Sequence, residues 1–317
     1  MKNLYTVFPA DKFIWNLDEV LTFLIANQHK DIVLRTNEEG CCAESAGLYK
    51  LLDLFNFNSV TILTGNTFEQ HNKYIIKPDS PFKFFDVDHT DYDALHKWNG
   101  NKIFGVFYNR PLWHRIGIAS YLNIHHNDRS LVNFRSNPHY DMDRRLFEMQ
   151  TLFETDLQSV DNVIKSIGDF PMQLETTDGY TTGASTTDHV DQLSQFYTNI
   201  FIDIVAETFV SGRTFFATEK TVRPMLLKKP FIAMGPKCFL IHLRQMGFKT
   251  FHDFWDEDYD GHSGPRRYLK ILELIDTLAS KPLDELYDMY TSMQEILDHN
   301  FNLIKQKNFT YPTEFIE

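Results

Sequence analysis

Short apolar runs alternate with helical patterns along the first half of this chain, and no other feature of it restricts the possible folds as much. Asp31-Ile32-Val33-Leu34-Arg35 reads as a strand, and 43–55 as a helix with Leu48, Leu51, Leu52 and Phe55 on one face. Val60-Thr61-Ile62-Leu63-Thr64 reads as the next strand, 102–107 as another, and 112–122 as a helix. Strands separated by helices pair in parallel through crossovers, with the helices covering the sheet faces. The expected class is therefore α/β.

The second half continues the alternation. It predicts a helix over 191–200, a strand over 201–206, a helix over 221–228 and a buried strand over 230–234. Phe239, Leu240, Leu243 and Met246 have helical spacing over 236–246, with Gly247 placed to cap that helix. Two further helices are expected over 265–278 and 282–305. In the latter Leu283, Leu286, Tyr290, Met293, Leu297, Phe301 and Ile304 form a continuous apolar stripe. Between the halves, 174–188 holds six threonines, two glycines and a serine with no apolar period, as a loop or linker would. At 317 residues the chain suits two units of about 150 residues each. The expected division is 1–170, a linker at 171–190, and 191–317.

Charge narrows the partners. Lys and Arg number 31 against 43 Asp and Glu, and the net charge of −12 opposes binding to bulk nucleic acid or anionic membranes. Three cysteines, two of them adjacent at Cys41-Cys42, form neither a disulfide framework nor a metal-ligand spacing. Without a signal-peptide core or an uninterrupted apolar run of roughly 18 residues, the expected location is cytoplasmic.

Three segments carry chemistry. The densest is Phe215-Phe216-Ala217-Thr218-Glu219-Lys220-Thr221-Val222-Arg223-Pro224, followed by the apolar run 230–234. Lys220 and Arg223 are fixed cations suited to a diphosphate, and Glu219 can accept hydrogen bonds from sugar hydroxyls. A helix starting near Thr218 would add unpaired N–H groups and a positive dipole end. A solvated turn fits the same residues. The second segment, Asn109-Arg110-Pro111-Leu112-Trp113-His114-Arg115, follows the 102–107 strand, where ligands of open α/β sheets bind. Asn109, Arg110, His114 and Arg115 suit the far side of a cleft, or an ordinary helix start. The third, Asn37-Glu38-Glu39-Gly40, offers Glu38 or Glu39 as a general base at a strand end, or a solvated pair. The acidic run 86–93 lacks the spacing of a calcium loop, and the 256–260 cluster suits either sugar hydroxyls or a negative surface.

From Ile202 to Pro236 the order is a strand reaching Glu207, a short loop, aromatic-x-Thr-Glu-Lys, a helix, and an apolar strand ending in Gly-Pro. This order resembles the donor-binding half of fucosyltransferase-type GT-B glycosyltransferases. It is closer still to a group of viral and phage proteins that continue with Leu243-Arg244-Gln245-Met246-Gly247-Phe248-Lys249-Thr250-Phe251 and Asp256-Glu257-Asp258-Tyr259-Asp260. The resemblance implies two Rossmann-like domains facing a cleft, with the C-terminal helix packing back across both. It implies metal-independent transfer of a sugar from a nucleotide-diphosphate sugar to a hydroxyl, with the nucleotide sugar as co-substrate and no cofactor.

Under that reading Lys220, supported by Arg223 or Arg213, stabilises the leaving diphosphate. Glu219 and Thr218 hold the donor, and Glu207 positions it. Glu38, Glu39 and His114 are the candidate bases. The acceptor is a glycan or a hydroxylated base in phage DNA, the latter needing a basic face such as Arg129, Arg135, His139, Arg144 and Arg145. A non-catalytic nucleotide or nucleotide-sugar binding module would keep the cations and need no base.

Overall fold

Strand β7 is buried at every one of its seven residues, Ile200–Ala206, and this continuous burial shows that helices cover both faces of its sheet. In the computed structural model the described residues are 3–6, 17–36, 40–79, 85, 97–134, 142–154, 157–172, 174, 186–310 and 312. They form two four-stranded sheets, each wholly parallel, flanked by helices.

The first sheet runs β1 (Asn3–Thr6), β2 (Asp31–Arg35), β3 (Ser59–Thr64), β4 (Ile75–Pro78), in that spatial order. Helices α1 (Leu17–Ala26) and α2 (Leu48–Leu52) accompany it. Its own core gathers Val20, Leu24, Ile32, Leu34, Leu48, Leu52, Val60 and Ile62. The helix expected over 43–55 is reduced to five residues. Gly47, with φ +77°, sits at its N-terminal end in a conformation that breaks a helix and favours glycine.

The second sheet has the spatial order β6 (Ser130–Phe134), β5 (Lys102–Tyr108), β7, β8 (Phe231–Met234). Its helices are α3 (Trp113–His125), α4 (Met142–Leu152), α5 (Gln158–Ser166), α6 (Thr186–Tyr197), α7 (Glu219–Leu226), α8 (Phe239–Gln245), α9 (Gly264–Ala279), α10 (Leu283–Ser292) and α11 (Gln294–Lys305). Gly247, at φ +98°, ends α8 as expected. Phe248 N–H reaches Leu243 O at 3.1 Å and Gly247 N–H reaches Arg244 O at 2.9 Å, a Schellman closure.

Two expectations are corrected by this topology. The division at 171–190 does not separate the sheets, because β5 and β6 precede it and β7 and β8 follow it within one sheet. Pairing between β5 and β7 joins segments far apart in sequence, which no local pattern discloses. The part of the threonine-rich stretch at 175–185 lies outside the described residues, and α6 already begins at Thr186. The long helix expected over 282–305 is two helices meeting at Met293. Its stripe packs on the second lobe, where Met293, Leu297 and Ile304 join the core and α11 lies against α7. The side chain of Asn300 brackets Lys249 there, accepting from its N–H and donating to its carbonyl.

The two sheets meet through loops at the carboxyl ends of their strands. Leaving β7, the chain lays Thr214 against Gly40, to whose carbonyl its hydroxyl donates, and Asn66 Nδ2 donates to Arg213 O at 2.8 Å. Phe68, from the loop after β3, is buried against Phe215 and, at 4.7 Å, the ring of His242. Among the described residues no helix is long and apolar enough to cross a membrane.

Candidate functional site

Strand order reverses between β5 and β7: the chain passes from β5 outward to β6, then returns to the other side of β5 to form β7 and β8. In open parallel sheets the loops at such a reversal part and leave a crevice beyond the carboxyl ends of the strands. The loop after β5 carries Asn109 and Arg110 and leads into α3 with His114 and Arg115. The segment after β7 carries Glu207 and Arg213 and leads into α7 with Thr218, Glu219 and Lys220. Both motif segments thus converge on the one place in the second sheet where the topology opens.

Glu207 organises this end of β7. Its carboxylate accepts from Thr218 N–H at 3.0 Å, Thr218 Oγ1 at 2.7 Å and Thr221 Oγ1 at 2.6 Å. Burial raises its carboxyl above the ordinary value, opposed by nearby Lys220 and by these donors. Its role differs from the expected one: at 1% exposure it anchors the start of α7 instead of touching a ligand. The helix start is also no empty anion cradle. Thr218 N–H goes to Glu207, Lys220 N–H to Thr218 Oγ1, and Thr221 and Val222 N–H to Thr218 O. Glu207 and Thr218 between them thus take these donors at the helix start.

Lys220 is half-buried and Glu219 buried, each with a small part of its side chain exposed. The Lys220 ammonium donates to Glu219 Oε1 at 2.7 Å and Thr218 Oγ1 at 3.0 Å, with 15% of the lysine side chain exposed. Arg223, one turn further on, is 1% exposed. Its guanidinium pairs with Asp203 Oδ2 at 3.0 Å, donates to Tyr197 Oη and lies over the Phe107 ring at 5.2 Å. The expected donor-binding role of Arg223 is therefore corrected: it neutralises a carboxylate inside β7. Desolvation by burial still raises the Asp203 carboxyl. The signal for this pair was present in Ile202-Asp203-Ile204, since an acid within an otherwise apolar strand needs a buried partner.

His114 and Arg115 are also turned inward. His114 Nε2 lies 2.9 Å from Glu207 O, so that nitrogen carries the proton and donates. Burial, then the Arg115 charge, holds the imidazole well below its usual value and keeps it neutral. At 1% exposure it cannot meet an acceptor hydroxyl, which corrects its assignment as a base. Arg115 donates through Nε at 3.1 Å and Nη2 at 2.9 Å to Ala206 O, clasping the last carbonyl of β7. On α9, Arg267 clasps Ala233 O of β8 in the same two-pronged way at 3.2 and 2.7 Å. Two neighbouring strand ends are thus fixed by buried guanidiniums, a device the sequence reading did not find.

Asn109 and Arg110 are half-buried at the mouth of the β5 loop, and Arg213 is exposed. Glu38 and Glu39, with Asn37, lie outside the described residues, as does the acidic run 86–93. The acidic 256–260 cluster is partly structural. Asp260 accepts from Leu240 and Ile241 N–H at 2.9 and 3.1 Å, capping α8, and pairs with Arg267 at 3.0 Å. Glu257 accepts from Phe251 N–H and Thr250 Oγ1, both at 2.8 Å. Of the basic set considered for DNA, Arg129 donates to Ala279 O, and buried Arg145 pairs with Glu148 at 3.0 Å. Arg135, His139 and the Arg144 side chain lie outside the described residues.

The chain matches no protein-family model, no curated protein and no solved structure. The site is therefore read from its own geometry.

Proposed function

We propose that the chain is a glycosyltransferase that draws its sugar from a nucleotide-diphosphate donor held beside the start of α7. The observation that carries this reading is the position of the Lys220 ammonium, part-exposed beside the strand-order reversal and held by Thr218 and Glu219. A preset cation of this kind stabilises charge that grows on a leaving diphosphate without having to reorganise. Glu219, paired with it, is the carboxylate assigned to a ribose or sugar hydroxyl. Glu207 supports both by fixing the helix that presents them. With Arg223 internal, Arg213 and Arg110 are the remaining candidate cations for the phosphates.

A two-lobed, GT-B-like arrangement is part of the proposal. It is supported by two parallel sheets with separate cores, joined where the loops at their carboxyl ends touch. A cleft between two such sheet ends suits a reaction between two bound substrates.

One observation favours a second reading, a non-catalytic nucleotide or nucleotide-sugar binding module. The base candidate that can be placed, His114, is enclosed and committed to Glu207 O. Turnover separates the two readings. Incubation with nucleotide-diphosphate sugars should release the nucleoside diphosphate slowly, and Lys220→Ala should abolish that release. Saturable binding with no release from any donor would assign the module instead.

A further inference from the structure

A cavity of about 500 Å³ opens in the first lobe along β4 and the loop that joins it to β3. We infer that it binds a neutral carbohydrate, and, resting on the transferase reading above, that this carbohydrate is the acceptor. The lining has two characters. Tyr74, Ile76 and Pro78 give it an apolar wall, extended by the part-exposed imidazole of His71, which stacks on Tyr74 at 4.7 Å. Opposite chemistry comes from Thr64, Asn66, Thr67, Glu69 and Gln70, which place hydroxyl, amide and carboxylate groups along the same cavity. A sugar ring presents the matching pair of surfaces, a C–H face and a rim of hydroxyls.

The polar side is built, not incidental. Glu69 is buried, and its carboxylate accepts from Ala43 N–H at 2.9 Å, Tyr49 Oη at 2.6 Å and Asn66 Nδ2 at 3.1 Å. These donors fix the carboxylate and leave part of its four-site accepting capacity. The Thr67 hydroxyl has no hydrogen-bond partner among the described residues. Among the described residues no lysine or arginine lines the cavity, so these residues offer an anionic ligand no fixed counter-charge.

Position links the cavity to the donor side. Asn66, in its lining, donates to Arg213 O, and the chain from Arg213 runs directly to Thr218 and Lys220. Phe68, between two lining residues, is seated on Phe215 of that same segment. A carbohydrate in this cavity therefore lies against the loop that leads to the proposed donor site.

The test is ligand-observed NMR on the full chain without nucleotide, using methyl glycosides of neutral hexoses as probes. Wild type is compared with Gln70→Ala, His71→Ala and Lys220→Ala. At least one glycoside should bind saturably, with affinity about tenfold weaker in Gln70→Ala or His71→Ala, the scale of one lost ligand hydrogen bond. Lys220→Ala should bind it unchanged, so failure here is distinguishable from failure of the donor site. Gln70 is exposed, which keeps the test sound even where the His71 substitution disturbs the aromatic stack. No glycoside binding, equal binding by both cavity variants, or a DNA duplex whose binding Gln70→Ala weakens would each overturn the inference.

Discussion

Lys229 shows at the scale of one residue how burial sets charge. It is fully enclosed, its ammonium has no hydrogen-bond partner among the described residues, and its nearest compensation is the Tyr290 ring at 5.1 Å. Burial lowers its pKa from 10.5 to about 7. The sign follows from linkage: an unfolded lysine binds its proton up to about 10.5, the folded one only to about 7. Stability is therefore penalised at pH 7 and below and recovers as pH rises toward 10.5. Lys229→Met, which keeps the volume, should stabilise the protein at pH 6 by up to a few kcal/mol. Urea denaturation at pH 6 and pH 10 should show that advantage shrinking at the higher pH. Glu207 makes the opposite case, a buried charge with full partners. Glu207→Ala strands three donors, and denaturation should report a loss of about 3 kcal/mol or more. Both residues were visible in the sequence as charged positions, but their burial was not. Charge type is a property of one residue, whereas enclosure depends on elements distant in the chain.

At the scale of elements, the sequence disclosed what local pattern controls. The strands β5, β7 and β8 and the capped helix α8 lie close to their expected spans, because continuous burial and a Gly247 stop are written locally. Two edge strands, β6 and β4, were missed. Ser130–Phe134 and Ile75–Pro78 mix polar and apolar residues, and they become strands through pairing with β5 and β3. Arg115 read as a cleft residue or part of a helix start until the fold brings Ala206 O within its reach, and no local pattern marks Arg267 as the partner of Ala233 O. Close contact between helices adds a further test. A Cβ on Gly117 of α3 would stand 2.7 Å from Tyr268 Oη of α9. Gly117→Ala should therefore cost about 1–3 kcal/mol in thermal or urea unfolding, whereas exposed Gly168→Ala, whose Cβ meets nothing, serves as the control.

For the whole molecule, the α/β class and parallel sheets were legible, and the partition of the chain between sheets was not. Pairing of β5 with β7 crosses the threonine-rich stretch, so a change of composition marked no boundary between sheets. The contact between lobes rests on a few close approaches. Gly40, at φ +74°, leaves only 2.4 Å between an added Cβ and Phe216 Cβ. Gly40→Ala combines left-handed strain with overpacking against the segment that leads to α7. Limited proteolysis should find the 208–218 segment cut faster in that variant than in wild type. The central claim is that Lys220, at the strand-order reversal, meets a diphosphate. Its most direct test is the thermal midpoint of wild type and Lys220→Ala across the common nucleoside diphosphates, since only ligands of the native state raise its stability. The account predicts that one diphosphate raises the wild-type midpoint by several degrees and leaves Lys220→Ala unmoved. No shift with any diphosphate, or an equal shift in both proteins, would contradict it.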